Sequence, residues 1–224
     1  MGMGSLRTPY LITYNLAQLL GWSAVICQTA VALARTGSPG SVYAAAGPAV
    51  RLCQGLAVLE TVHISAGVVK GSVALSFLQW FGRFNVLFLV LHSIPELWAH
   101  WALPVMFLSW ALADVVRYLW YALSLAGSPP PLLTWLRYTM FIALYPLGIL
   151  LGEMPLYAAG LPYLRERRLY SLALPNALNF SFDYHRACQA ALSAILPLSG
   201  TYLYLYLLRQ RRKRLSSGAG GKRA

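Results

Sequence analysis

The chain has 224 residues, 58% of them hydrophobic and 11% charged, with 18 lysines and arginines against 6 acidic residues. A soluble domain carries about 25% charged residues, so a soluble globule is excluded; so is a disordered chain, which needs low hydrophobicity and high charge. The 18 glycines and 13 prolines show no period, which removes collagen-like chains and leaves an all-α polytopic membrane protein.

A spanning helix needs about 20 apolar residues, and six stretches qualify in chain order. The first runs from about Tyr10 to Leu33 and ends at Thr36-Gly37-Ser38-Pro39-Gly40. It is too long for the apolar part of a secretion signal and reads as a retained span. The second runs from about Val50 to Val69, before Lys70-Gly71. The third, about Phe77 to Leu91, is short and carries Arg83. The fourth runs from about Leu97 to Leu125, before Gly127-Ser128 and the triple proline Pro129 to Pro131. The fifth runs from about Leu132 to Ala159 with Pro146 and Pro155 inside, and the sixth from about Tyr184 to Leu208. No repeat or second domain interrupts them. The expectation is a six-transmembrane-helix bundle forming one domain over residues 1–215, with a disordered basic tail at 216–224.

The formal net charge is +12. Much of the excess follows the sixth span, in Arg209, Arg211, Arg212, Lys213, Arg214, Lys222 and Arg223. The positive-inside rule puts basic residues there, and anionic headgroups attract them. No nucleic-acid motif accompanies the charge, so the expected partner is membrane lipid and no nucleic acid. An even number of spans places both termini on one side, and the basic cluster makes that side cytosolic. Arg165, Arg167 and Arg168 then fall on the far side, against the rule. Asn179-Phe180-Ser181 is formally a glycosylation sequon, expected to be unmodified because it lies so near the sixth span. Cys27, Cys53 and Cys188 have no metal-ligand spacing, and the four histidines form no HxxxH pair, so no metal site is expected.

Ionisable groups inside a bilayer are costly, and each is a functional candidate. Glu60 and His63 share a helix face, as do Asp114 and Arg117, which pattern as a buried ion pair. Arg83 and Arg137 have no acid one turn away; they either snorkel to headgroups or face an anionic ligand such as a phosphate. Glu153 follows Gly152, precedes Met154-Pro155 and has no basic residue within a turn. A carboxyl in such apolar surroundings is poised for proton transfer and suits a general acid or base. Tyr145 lies on the same helix, beside Pro146, which removes a backbone N–H and opens the helix locally.

These residues resemble a known family, the membrane 3-hydroxyacyl-CoA dehydratases once called protein-tyrosine-phosphatase-like. The likeness is carried by Leu59-Glu60 with His63, by Val116-Arg117-Tyr118, and by Leu136-Arg137-Tyr138 with Phe141. It continues through Leu144-Tyr145-Pro146 with Gly148, Leu161-Pro162, Tyr170-Ser171 and Pro175-Asn176. Asn179-Phe180-Ser181-Phe182-Asp183-Tyr184 is its most specific segment, and Gln210-Arg211-Arg212-Lys213 closes it. The resemblance implies dehydration of a long-chain 3-hydroxyacyl-CoA to the trans-2-enoyl-CoA, the third step of very-long-chain fatty-acid elongation, in the endoplasmic reticulum membrane. It implies no metal or redox cofactor, the CoA thioester being the substrate. Its implied partners are the elongase condensing enzyme, the ketoacyl-CoA reductase and the enoyl-CoA reductase. It makes Tyr145 and Glu153 the catalytic pair. From their own chemistry Arg137 and Arg83 are candidates to hold CoA phosphates or carboxylate partners, and Glu60, Gln79 and Gly148 are candidate substrate-binding or supporting residues. For Glu60 and Gln79, inter-helix hydrogen bonding is an equal reading.

One departure has a geometric consequence. The family's Glu follows its Tyr by seven residues, whereas Glu153 follows Tyr145 by eight. Seven residues turn an α-helix through about 700° and align two side chains; eight turn it through about 800° and swing them apart. Either the alignment is lost, or a π-bulge, a device that clusters at functional sites, absorbs the extra residue. Loss of alignment would favour a catalytically impaired membrane adaptor of the same fold. A small transporter is a third reading, supported only by broken helices and buried charges. A cysteine-dependent phosphatase is excluded: after His63 the chain reads Ile64-Ser65-Ala66-Gly67-Val68-Val69, with no thiol.

Overall fold

The structure is a computed structural model that describes residues 3–220. Ten α-helices occur among them: α1 (Met3–Thr36), α2 (Gly40–Leu56), α3 (Val58–Ser65), α4 (Val73–Phe84), α5 (Ala102–Ala126), α6 (Pro131–Arg137), α7 (Phe141–Pro146), α8 (Met154–Arg167), α9 (Tyr184–Ala190) and α10 (Leu196–Gly220). Three π-helices continue α-helices without a break: π1 (Asn85–Leu91), π2 (Leu147–Glu153) and π3 (Ala191–Ile195). A 3₁₀ turn covers Pro95–Ala99, and an isolated antiparallel bridge joins Leu172 to Phe182. No strand occurs among the described residues. The expected tail at 216–224 lies partly outside them, from residue 221 on.

Six helical stretches are long and apolar enough to cross a membrane: Leu6–Thr36, Gly40–Ser65, Val73–Leu91, Ala102–Ala126, Pro131–Arg167 and Tyr184–Lys213. The all-α six-span class holds, but several boundaries differ from the expected ones. The second span starts ten residues before Val50. Gly37 ends α1 at φ +63°, a left-handed conformation glycine adopts without cost, and the Thr36 and Ser41 hydroxyls, 2.8 Å apart, tie the turn so that α2 restarts at once. The fourth begins at Ala102 because Pro95 forces the 3₁₀ turn first; the ring Nδ1 of His100 then accepts the Ala102 N–H at 3.2 Å. The fifth reaches Arg167, beyond the expected Ala159; it breaks at residues 138–140 between α6 and α7, and changes between α and π geometry beside Pro146 and Pro155, which remove donors.

Helices α1, α2 and α5 form the densest part of the bundle, around Trp22, Val25, Ala46, Val50, Phe107 and Trp110. Lipid tails are as apolar as leucine, so packing and inter-helix hydrogen bonds hold membrane helices together, at about 0.6–2 kcal/mol per bond. Gln18 of α1 donates to the Cys53 carbonyl of α2 at 3.1 Å, and Trp80 of α4 donates to the Gln54 carbonyl at 3.2 Å. Tyr10 of α1 meets His63 of α3 at 2.8 Å. The sixth span is peripheral: beyond Cys188 none of its described side chains is buried. It walls a space that the other spans leave open.

Candidate active site

The third to sixth spans enclose a cavity of about 690 Å³. Arg137, Tyr138 and Gln210 line one end, at the start of the fifth span and the end of the sixth. Tyr157 and Tyr184 line the opposite end, and Leu78, Phe81, Leu144, Ile195 and Leu203 contribute apolar walls. A mostly apolar pocket with a few converging polar groups is the usual form of a small-molecule site.

Tyr145 and Glu153 both line this cavity. Glu153 is the last of the seven residues of π2, Leu147–Glu153, and Tyr145 stands just before its start, in α7. A π-turn accommodates one residue more than an α-turn, so the eighth residue is absorbed between the pair. Pro146 gives a local reason, since it offers no N–H to the α-helical ladder just before π2 begins. Gly152 gives another. A Cβ there would stand 2.9 Å from the Met106 Cα, so the π-turn lies directly against the α5 backbone. At Gly148 a Cβ would stand 3.4 Å from the Ser109 Cβ, an ordinary contact.

The two groups have different surroundings. Glu153 is buried, and its Oε1 accepts a hydrogen bond from the Trp110 indole N–H at 3.0 Å. Oε2 makes no hydrogen bond among the described residues. The Tyr145 hydroxyl also makes none there, and the bare Cα of Gly200 leaves it open on the α10 side, where a Cβ would lie 4.0 Å away.

Five charged or phenolic groups pair beside the cavity. Arg83 donates to Asp114 at 2.6 Å, Asp114 meets Arg117 at 3.1 Å, and Arg117 donates to Glu60 at 2.7 Å. The Tyr118 hydroxyl also donates to Glu60. The sequence pairing of Asp114 with Arg117 is present, and Arg83 gains an acid from another span. Its guanidinium also lies 4.9 Å over the Trp110 ring. Glu60 does not line the cavity; it is a helix-bridging acid in this arrangement. Gln79 lines the cavity and makes no hydrogen bond among the described residues.

Arg137 is held differently. Its guanidinium lies 4.7 Å over Trp120 and 4.5 Å over Tyr121, and it donates to the Tyr121 hydroxyl at 3.0 Å. It has no carboxylate partner among the described residues, and its buried Nε is unpartnered. An aromatic cage keeps this cation facing the cavity without neutralising it.

Sequence reasoning missed Trp110 and Asn85. Asn85 opens π1, and its side-chain amide oxygen Oδ1 accepts from the Tyr157 hydroxyl at 2.5 Å and the Tyr184 hydroxyl at 2.9 Å, closing the far end of the cavity. The available signals were an indole one turn before Asp114 in mid-span and an amide two residues after Arg83. Among the described residues no group of three or more His, Cys, Asp or Glu could hold a metal ion.

Residues 54–217 match the family described as protein tyrosine phosphatase-like protein, PTPLA. The chain is 35% identical over 215 residues to very-long-chain (3R)-3-hydroxyacyl-CoA dehydratase 2 of Mus musculus, covering 96% of this chain and 84% of the relative. It is 33% identical over 211 residues to very-long-chain (3R)-3-hydroxyacyl-CoA dehydratase 1 of Mus musculus, covering 94% and 74%. It is 35% identical over 211 residues to very-long-chain (3R)-3-hydroxyacyl-CoA dehydratase PASTICCINO 2 of Arabidopsis thaliana, covering 94% of both. No solved structure matches.

Proposed function

Because the chain belongs to the protein tyrosine phosphatase-like (PTPLA) family, and its relatives above carry the name of dehydratases, we propose that it is a hydro-lyase acting on long-chain 3-hydroxyacyl-CoA. The observation that supports this most is the π-turn between Tyr145 and Glu153, with both side chains on one cavity. The eight-residue spacing therefore no longer favours an adaptor.

Dehydration breaks the C2–H and C3–O bonds of the acyl chain. A base takes the C2 proton, which the thioester carbonyl acidifies, and an acid protonates the departing C3 hydroxyl as water. Tyr145 and Glu153 divide this work. Glu153 holds the hydroxyl and shuttles the proton; Tyr145 polarises the substrate or completes the transfer, and the reverse division uses the same two groups. The net change is loss of water with no electron transfer, so the chemistry calls for no redox cofactor. The apolar walls receive the acyl chain. Arg137, caged and unneutralised, takes a CoA phosphate. Arg83 has an acid already and is assigned to supporting Glu153; Gln79 and Gly148 line the space around the pair. The place of action is the endoplasmic reticulum membrane, with both termini cytosolic. The partners are the elongase condensing enzyme, the ketoacyl-CoA reductase that supplies the substrate and the enoyl-CoA reductase that consumes the product.

Purified protein in detergent, given a long-chain 3-hydroxyacyl-CoA, is expected to form the enoyl-CoA. Tyr145→Phe and Glu153→Ala are each expected to lower kcat about 100-fold or more. No turnover by the unaltered protein, or full turnover by both variants, overturns the assignment.

A further inference from the structure

We infer that Trp110 is a positioning residue that fixes which oxygen of the Glu153 carboxyl faces the substrate; this rests on Glu153 being one of the two proton-transfer groups. Trp110 is 2% exposed and sits in the first half of α5. Its indole N–H reaches Glu153 Oε1 at 3.0 Å, and Oε2 is left without a hydrogen bond among the described residues on a carboxyl that lines the cavity. A carboxyl on a Glu side chain rotates freely about its last bond. Anchoring one oxygen presents the other in a single orientation, and proton transfer needs a reach of about 2.6–3.2 Å.

The indole is itself held from two sides. Arg83 of α4 lies 4.9 Å over its ring and is fixed by Asp114 at 2.6 Å, which follows Trp110 by one turn on α5. The carboxyl is fixed from its own backbone: Gly152, next to Glu153, packs against Met106, which precedes Trp110 by one turn. The contact between Trp110 and Glu153 is thus set by a close backbone approach at one end and a stacked cation at the other. Trp110 lines the cavity with its ring, but its N–H is taken up by the carboxyl, so removing the N–H while keeping an aromatic ring changes the chemical step and leaves binding alone.

The test is steady-state kinetics of the purified full-length protein with a long-chain 3-hydroxyacyl-CoA. Trp110→Phe keeps an aromatic face for Arg83 and removes the donor. Its kcat is expected to fall about 10- to 100-fold, with KM within about twofold of the unaltered protein. Should Trp110→Phe fail to fold, 3-benzothienylalanine at position 110 keeps the indole shape and replaces the N–H by sulfur, with the same expected split. Wild-type kcat in a folded variant, or a fall in kcat/KM carried by KM alone, overturns the positioning role. Glu153→Ala run in parallel separates the premise from the inference. If it is inactive while the donor-less variants are fully active, only the role of Trp110 falls; if it turns over at the normal rate, both fall.

Discussion

Asp114 is the residue on which the polar interior depends. Asp114 is buried, and its carboxyl lies between Arg83 and Arg117, which reach it from α4 and from one turn further along α5. Taking away one partner of a buried ion pair costs about 3–5 kcal/mol, because the remaining charge stays out of water. Asp114→Asn leaves Arg83 without an acid and Arg117 with Glu60 alone. A chain of this length loses about 2–4 °C of melting temperature per kcal/mol, so a drop of roughly 6 °C or more is expected. Glu60→Gln should cost less than that, since Arg117 keeps Asp114 and Glu60 is the more exposed acid, at 22% against 3% for its side chain. Thermal unfolding followed by tryptophan fluorescence in detergent compares the two; an equal loss would mean that Asp114 does not organise the ladder. Only one of this ladder's three ion pairs was legible beforehand. Periodicity on one helix reveals partners three or four residues apart, which found Asp114 and Arg117. Arg83 and Asp114 are 31 residues apart and meet only because two spans pack, as do Arg117 and Glu60 across 57.

At the scale of the element, π2 joins a sequence irregularity to the site. If its role is to absorb one residue, removing one should relax it to an α-helix and keep Tyr145 and Glu153 on one face. Leu150 is the residue to delete, because it is 57% exposed within the bundle and faces outward from the core. Deletion of Leu150 is expected to keep kcat within about tenfold. Insertion of one alanine after Leu150 adds about 100° of rotation with no second bulge to take it up, and is expected to lower kcat about 100-fold. Loss of activity in the deletion equal to that in the insertion would remove the role given to π2. This element shows where sequence reading succeeds and stops. The extra residue, Pro146 and the glycines made an irregular turn readable, because a helix of fixed pitch cannot align positions eight apart. Trp110 was not readable. An indole in an apolar run looks like packing until another helix brings a carboxyl to its N–H.

Across the whole molecule, composition carried the six spans, and the local chemistry of their ends set boundaries that hydrophobicity misses. The connections after the third and fifth spans show this. Arg165, Arg167 and Arg168 run against the expected orientation, yet α8 continues to Arg167, whose guanidinium reaches the Glu96 carboxylate in the 3₁₀ turn between the third and fourth spans. One basic charge of that connection is thereby matched, and the end of the fifth span is clamped to a loop outside the bilayer. The Arg167 hydrogen bonds hold the Glu96 carboxyl below the usual carboxylate range. A carboxyl lowered in the folded state contributes its stability above its unfolded pKa, about 4.3, and loses it as the pH falls through the lowered folded value. The side chains are 38% and 40% exposed, so solvent and salt screen the contact. Glu96→Gln is therefore expected to lower the melting temperature in detergent by no more than about 2 °C at pH 7. The difference from the unaltered protein should begin to fade as the pH falls below about 4.3 and vanish once it has passed through the lowered folded value, and it should shrink at pH 7 in 1 M salt. A difference that persists unchanged at pH 3 would mean that shape, and not charge, holds this loop to the end of the fifth span.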